Sequence, residues 1–376
     1  MSDEVEPKQR PLDVLHVFSS FAVGGAQVRF AALANHFGDA VRHRIVAMDG
    51  NRDARVLLNP ELNVLFPKVG LLRHDTLGNF TRIRRYMDLY PPDVLITSNW
   101  GSIDWAIARR RNGPRHVHME DGFGPDERDR QLFRRVLTRW VVLDKSQIIL
   151  PSRTVELIAR KKWRLPAGNL HYIPNGVDAA RFAAAKPAVL PQGGEGPVFG
   201  TVTALRAEKN LPRLLEAFAI VRKAMPARLV IVGDGPLRAK LKTRAAKLGI
   251  SGSVHFAGPS AAPEKYYACF DVFVLSSDTE QMPLCVLEAG AAGLPVAATD
   301  VGDMRVIVAP ENAPYLVARD TAKLAEAMLA LIKDPDAARR IGAANRALVA
   351  RDFTQDAMFE KHWALWRGPQ NDEDDE

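Results

Sequence analysis

Residues 272–302 read VFVLSSDTEQMPLCVLEAGAAGLPVAATDVG. The stretch opens on a short β-branched and aromatic run, 272–275, crosses a polar loop, and continues from Pro283 as an apolar helical pattern. It closes on a second short run, 295–299. Strand, crossover helix and strand in that order form the repeating unit of a parallel sheet. The same alternation extends toward the N-terminus through strand candidates at 198–202, 229–232 and 254–257. A Pro-, Gly- and Ala-rich stretch, 183–197, then interrupts it and reads as an interdomain linker. Further upstream the pattern recurs at 14–18, 44–48, 63–66, 94–97, 115–119, 148–151 and 170–173. A helix among these is marked by Leu77, Phe80, Ile83 and Met87.

An α/β chain of two Rossmann-like domains in tandem is therefore expected, the first over 1–185 and the second over 196–352. An amphipathic helix at 353–366 carries Phe353, Met358, Phe359, Trp363 and Trp366. It is more aromatic than a terminal surface helix requires, so it should pack against something large. The acidic end, 369–376, is expected to be a disordered tail.

The chain has 376 residues, 47% hydrophobic and 25% charged, enough for two α/β domains with their own cores. Two cysteines, Cys269 and Cys285, lie in apolar runs and cannot build a disulfide framework, which fits a reducing compartment. The apolar run near residue 14 is too short for a signal peptide, and the stretch 281–299 is broken by prolines, glycines and a glutamate. A soluble, cytoplasmic protein is expected. Its charge is uneven: residues 1–190 carry 29 Lys and Arg against 20 Asp and Glu, and residues 191–376 carry 22 against 24. A basic first half suggests an anionic partner.

Chemistry concentrates in the opening stretch. Pro283 suits the first turn of a helix, having no N–H to leave unsatisfied there. The N–H groups around Met282, Leu284 and Cys285 would then face an anion such as a diphosphate. Glu288 is the only charge between Glu280 and Asp300, and a carboxylate among Leu, Ala and Gly needs donors, which the two hydroxyls of a ribose supply. Glu280 belongs to the preceding loop. Arg206 and Lys209 lie beyond the strand at 198–202, where open α/β sheets bind ligands, and two cations there would neutralise a diphosphate. Gly24 and Gly25 come after the first strand and open a helix, which permits close backbone approach. His116, His118, Glu120 and Asp121 cluster around the end of the strand at 115–119. Alternation sends the first three to one face and Asp121 to the other, so no metal site is expected.

Together these segments resemble glycosyltransferase family 4, the retaining enzymes with the GT-B fold. The likeness rests on Gly24-Gly25-Ala26-Gln27, Ile173-Pro-Asn-Gly-Val-Asp178, the Arg206 to Lys209 loop and Gly233-Asp-Gly-Pro236. Its most specific element is Glu280, seven residues, Glu288, then Ala-Ala-Gly-Leu-Pro-Val. The resemblance implies two parallel sheets facing across a cleft, with the C-terminal helix returning to the first domain. It implies Glu288 on the donor ribose, Glu280 on hydroxyls of the transferred sugar, and Arg206 and Lys209 on the leaving diphosphate. Backbone at Met282, Pro283 and Leu284 would hold sugar and phosphates, and the Gly24-Gly25 loop would line the acceptor and phosphate side. Two positions depart from the pattern. Ala204 stands where the family usually has its arginine, so Arg206 would act from a shifted position. Asp121 stands where a histidine is common, with His118 three residues earlier, and either is a candidate for the sugar contact.

The resemblance further implies retaining transfer from a nucleotide sugar, such as a UDP- or GDP-sugar, to a lipid or saccharide acceptor. It would use neither metal nor cofactor, in cell-envelope glycan or glycolipid synthesis. The alternatives are another GT-B sugar-phosphate enzyme (an epimerase or phosphorylase) and a non-catalytic, basic membrane-surface protein. Helical stretches of the first half carry Arg82, Arg84 and Arg85, then Arg109 to Arg111, then Arg128, Arg130, Arg134, Arg135 and Arg139, interleaved with Phe80, Tyr86, Phe133 and Trp140. With no nucleic-acid-binding module in sight, these point to peripheral contact with an anionic inner leaflet.

Overall fold

The structure is a computed structural model and describes residues 10–72, 75–110, 112–123, 127, 130–190 and 195–368. The acidic end at 369–376, Arg111 and Arg128 lie outside the described residues. The chain forms two compact units: 1–173 with 359–376, and 174–358.

In the first unit the strands are β1 (Leu12–Phe18), β2 (Val41–Ala47), β3 (Val64–Leu65), β4 (Val94–Ser98), β5 (Arg115–Met119), β6 (Gln147–Leu150) and β7 (Leu170–Tyr172). They pair in parallel in the order β3-β2-β1-β4-β5-β6-β7. Helices α1 (Gly25–Phe37), α2 (Thr76–Leu89), α3 (Ile103–Ala108), α4 (Phe133–Leu143) and α5 (Arg153–Lys161) provide its crossovers. Because strand side chains alternate, β1 serves two cores: Leu15 and Val17 pack with Ile83, Met87 and Trp105, while Phe18 packs with Phe21, Phe30 and Ile45.

The second unit contains α6 (Ala179–Ala183), β8 (Val198–Val202), α7 (Leu211–Ala224), β9 (Arg228–Val232), α8 (Arg238–Lys247), β10 (Val254–Gly258), α9 (Glu264–Tyr267) and β11 (Val272–Leu275). It continues with α10 (Leu284–Ala291), β12 (Val296–Thr299), α11 (Met304–Ile307), β13 (Leu316–Val317), α12 (Thr321–Lys333) and α13 (Pro335–Asp352). Its sheet runs β10-β9-β8-β11-β12-β13, also parallel.

Three expectations need correction. The first unit ends at Ile173 rather than 185, because Phe182 packs edge-on against Tyr267 in the core of the second unit, 5.4 Å between ring centroids. The expected linker accordingly starts within that unit, where Ala188 N–H donates to the Lys265 carbonyl at 2.9 Å. The terminal helix α14 spans Gln355–Arg367, since Phe353 caps α13 instead. From Phe359 on, this helix belongs to the first unit, where its rings have partners: Phe359 stacks on His36 at 4.1 Å and Trp363 on Phe37 at 4.9 Å. Trp366 lies edge-on to His16 at 5.6 Å.

Candidate active site

Strand order in the second sheet reverses between β8 and β11: β9 and β10 lie on one side, β12 and β13 on the other. Loops leaving the carboxyl ends of such neighbours diverge, and the gap between them is where open α/β sheets take ligands. Lys209 stands in the first loop and Glu280 in the second, Nζ to Oε1 2.6 Å apart. Burial alone would push the Lys209 ammonium down, but the Glu280 carboxylate, joined by Cys285 and Glu208, more than offsets it and holds the group above the usual lysine range. Ser277 Oγ donates to the same Oε1 at 2.7 Å. Both protein donors therefore use one oxygen, and Oε2 accepts from no described residue.

The loops are fastened to each other and to their neighbours. Ser276 Oγ donates to the Lys209 carbonyl at 2.9 Å, and Asp278 N–H to that of Glu208 at 2.8 Å. Arg213 on α7 bridges the Ser276 carbonyl at 2.8 Å and the Asp278 carboxylate at 2.7 Å. Gly302, after β12, has φ +59°, and a Cβ there would fall 2.3 Å from the Glu280 carbonyl oxygen, so this approach requires glycine. Gly233 answers to the same constraint: a Cβ there would meet the Thr203 carbonyl at 2.0 Å. That packing lets the loop after β9 support the one bearing Arg206. Arg206 itself is exposed and makes no ion pair among the described residues.

Pro283 is the N-cap of α10 rather than a residue of its first turn, and no side chain caps this end. The Val286 N–H donates to the Pro283 carbonyl at 3.1 Å, and the Leu284 N–H at the first helical position has no backbone or side-chain acceptor among the described residues, so it is left for a ligand or water. Met282 is buried, and Asn175 fixes it: Asn175 Nδ2 donates to its carbonyl at 3.0 Å, and the Asn175 N–H to its Sδ at 3.3 Å. Leu284 is half-buried at the first helical position. One turn further on, Glu288 is half-buried, and the Tyr267 hydroxyl donates to its Oε2 at 2.7 Å. Burial pushes the Glu288 carboxyl up, and the Tyr267 hydrogen bond pulls it partly back. The Cys285 thiol between these groups is pushed well above the usual thiol range, first by burial and then by Glu280.

The first sheet reverses its order between β1 and β4. Gly24 caps α1 in extended conformation, and a Cβ on Gly25 would meet nothing within 4 Å, so the helix start is open. Beyond β5, Asp121 pairs with the buried Arg29 of α1 at 2.6 Å and donates its N–H to Asn99 Oδ1 at 2.7 Å. Its Oδ2 is buried with no hydrogen bond among the described residues. His118, by contrast, is an interior residue. Its Nδ1 shares the Thr97 hydroxyl with His116 Nε2, both at 2.8 Å, and its ring has no solvent exposure. Of the two residues considered for a sugar contact, Asp121 is partly exposed and His118 is not. Glu120 is occupied by Arg139 at 3.0 Å, and among the described residues no group of three His, Cys, Asp or Glu is arranged to hold a metal.

Sequence reasoning misses Tyr267 and Ser277 entirely, and it gives Asn175 and Gly302 no role. Nothing in local spacing links Tyr267 to a glutamate on another helix. Asn175 has a signal, its place in the 173–178 motif, whose purpose becomes visible only when Met282 is beside it.

Residues 23–181 match the family model described as Glycosyltransferase Family 4, and residues 184–348 the model described as Glycosyl transferases group 1. A GDP-mannose-dependent alpha-(1-6)-phosphatidylinositol monomannoside mannosyltransferase of Mycobacterium tuberculosis is 32% identical over 219 residues, 54% of this chain and 57% of that protein. An alpha-monoglucosyldiacylglycerol synthase of Streptococcus pneumoniae is 31% identical over 180 residues, 44% of this chain and 40% of that one. The chain spans about half the length of these curated relatives. In fold, it is similar to a sucrose-phosphate synthase from Thermosynechococcus elongatus, with a TM-score of 0.76, 95% of this chain and 98% of that one covered, and 20% identity. Two adjoining family models on two parallel-sheet units, in the order 23–181 and then 184–348, leave one assignment: the chain belongs to glycosyltransferase family 4 and has the GT-B fold.

Proposed function

We propose that this protein is a retaining glycosyltransferase that moves a sugar from a nucleotide-sugar donor to a lipid or lipid-linked saccharide in cell-envelope glycan or glycolipid synthesis. The observation that carries the reading is the Lys209–Glu280 pair at the switch point of the second sheet, beside the uncapped start of α10. Each of the two glutamates gives one oxygen to the protein and keeps the other. Glu280 Oε2 would accept from hydroxyls of the transferred sugar, and Glu288 Oε1 from the donor ribose. Lys209, held protonated, would supply positive charge to the departing diphosphate, with Arg206 assisting from solvent. The N–H groups from Met282 past Pro283 to Leu284 would meet its oxygens.

In this mechanism the acceptor attacks the face from which the diphosphate leaves, and a phosphate oxygen takes the acceptor's proton. The chain's residues position and neutralise rather than supply a strong base. Neither metal nor cofactor is called for. Gly24, Gly25 and Asp121, at the carboxyl ends of β1 and β5, are the first-unit residues proposed to contact substrate.

For the acceptor, the structure moves the emphasis from arginine number to one helix. Arg82 is paired with Asp75 and Arg110 with Asp88, while Arg135 and Arg139 turn inward onto Glu127. Helix α4 thus buries charge and exposes apolar groups: Arg139 is 1% exposed, whereas Phe133 is 80% and Trp140 49% exposed. Leu137 and Val141 share that outer face, with Arg130, Arg134 and Lys145 near it. An apolar stripe with basic neighbours suits an anionic membrane surface, and the names of both relatives above refer to lipids. We place the protein at the inner face of the cytoplasmic membrane. No helix among the described residues is long and apolar enough to cross a bilayer.

A thermal-shift panel of UDP-, GDP- and ADP-sugars tests the donor assignment, since a ligand that binds the native state raises its melting point. One nucleotide series should stabilise the protein. No shift with any of them would contradict the reading.

A further inference from the structure

Tyr267 ends α9, and its side chain is wholly buried. The ring stacks on Phe273 at 5.6 Å and meets Phe182 and Phe270 at 5.4 and 5.7 Å. This packing leaves the hydroxyl one direction, toward α10, where it lies 2.7 Å from Glu288 Oε2 and 3.1 Å from the Cys285 carbonyl oxygen. A phenol has one proton to give, and the shorter, charge-assisted contact takes it. A glutamate side chain has three rotatable bonds, so without that donor its carboxylate would sample several positions above α10. The neighbouring charges do not replace the hydroxyl, because Arg181 and Glu264 neutralise each other at 2.7 Å.

We propose that Tyr267 is a positioning residue: its hydroxyl pins one carboxylate oxygen of Glu288 so that the other is aimed at a ribose hydroxyl of the bound nucleoside diphosphate. The proposal rests on the ribose role given to Glu288 above. It adds that the grip depends on a tyrosine that touches no substrate. The groups that bear on Glu288 electrostatically are this hydroxyl, Arg181 on α6, Glu264 on α9 and the Cys285 thiol on its own helix, which burial keeps protonated. Removing the hydroxyl leaves burial unopposed by its largest counterweight, so Glu288 would take up its proton at higher pH.

The test is calorimetric titration with UDP and GDP, and with their 2′,3′-dideoxy counterparts, from acid to neutral pH. The dideoxy probes share the phosphate titration and lack the hydroxyls, so they give the baseline. Tyr267→Phe keeps the ring and should weaken ribonucleotide binding about tenfold at neutral pH, the scale of one hydrogen bond to a charged group. Its acid limb should move to higher pH, and dideoxy binding should stay unchanged. A fluorinated tyrosine in place of Tyr267 keeps both packing and hydroxyl but donates more strongly, so it should move the acid limb the other way. Equal losses for ribo and dideoxy probes, or acid limbs unmoved in both variants, would overturn the proposal. Failure of the ribose reading is separately visible, because Glu288→Gln would then bind the ribonucleotide as the unaltered protein does.

Discussion

Lys209 Nζ and Glu280 Oε1 are 2.6 Å apart, on loops that leave adjacent strands in opposite directions. Each residue accounts for the state of the other. The carboxylate keeps a largely buried ammonium protonated, and the ammonium with Ser277 fixes which carboxylate oxygen stays available.

Lys209→Ala should lower turnover by about 10²-fold or more, the usual scale for losing one partner of developing charge. Arg206→Ala should be milder, because the side chain reaches from solvent. Steady-state rates of the two variants check this, and values near those of the unaltered protein would mean the diphosphate is stabilised elsewhere.

Glycosyl transfer should continue in EDTA, since charge neutralisation is assigned to Lys209 and Arg206. Activity abolished by the chelator and restored by Mg²⁺ or Mn²⁺ would show that the leaving group needs a metal.

Folding stability should fall on mild acidification. His16 Nε2 and His43 Nδ1 lie 3.0 Å apart under Trp366, and burial holds both rings below the usual range, His43 at about 4. A histidine depressed in the folded state contributes stability fully above the unfolded value of about 6.5. That contribution is lost as pH falls toward about 4, because only the unfolded chain takes up the proton. Melting midpoints measured across this window should decline, and a flat profile would mean that these rings accept protons when folded.

Vesicle sedimentation should show binding to anionic but not neutral liposomes, weakened by salt. Replacing Phe133 and Trp140 together by Asp should abolish it with little effect on melting, because both side chains are largely exposed. Binding indifferent to lipid charge, or to these two residues, would leave a water-borne acceptor.

Much of this fold is legible in the sequence because its central strands are short runs buried on both faces, mostly apolar in β4, β8, β9, β11 and β12. Those at 115–119, 198–202 and 272–275 coincide with β5, β8 and β11 to the residue. The edge strand β13 has no counterpart among the runs read from the sequence, whereas β3, equally short and also at an edge, falls inside the run at 63–66. The domain boundary is displaced because Pro174-Asn-Gly176 reads as loop, and only Tyr267 shows where Phe182 goes. At the site, the isolation of Glu288 is visible in the sequence and its partner is not. Alternation rightly groups His116, His118 and Glu120 on one face, yet it cannot say that this face lies in the interior. Arginine counts mislead for the same reason: Arg139 looks like surface charge and is among the most buried side chains in the molecule.

The second unit is proposed above all to grip a nucleotide sugar through Glu288 and Lys209. Titration calorimetry of UDP, GDP and ADP into the unaltered protein and into Glu288→Ala tests that grip most directly. One of the three nucleotides is expected to bind, and the variant, still folded, should lose most of that affinity. Equal affinity in both proteins, or no binding of any nucleotide, would contradict it.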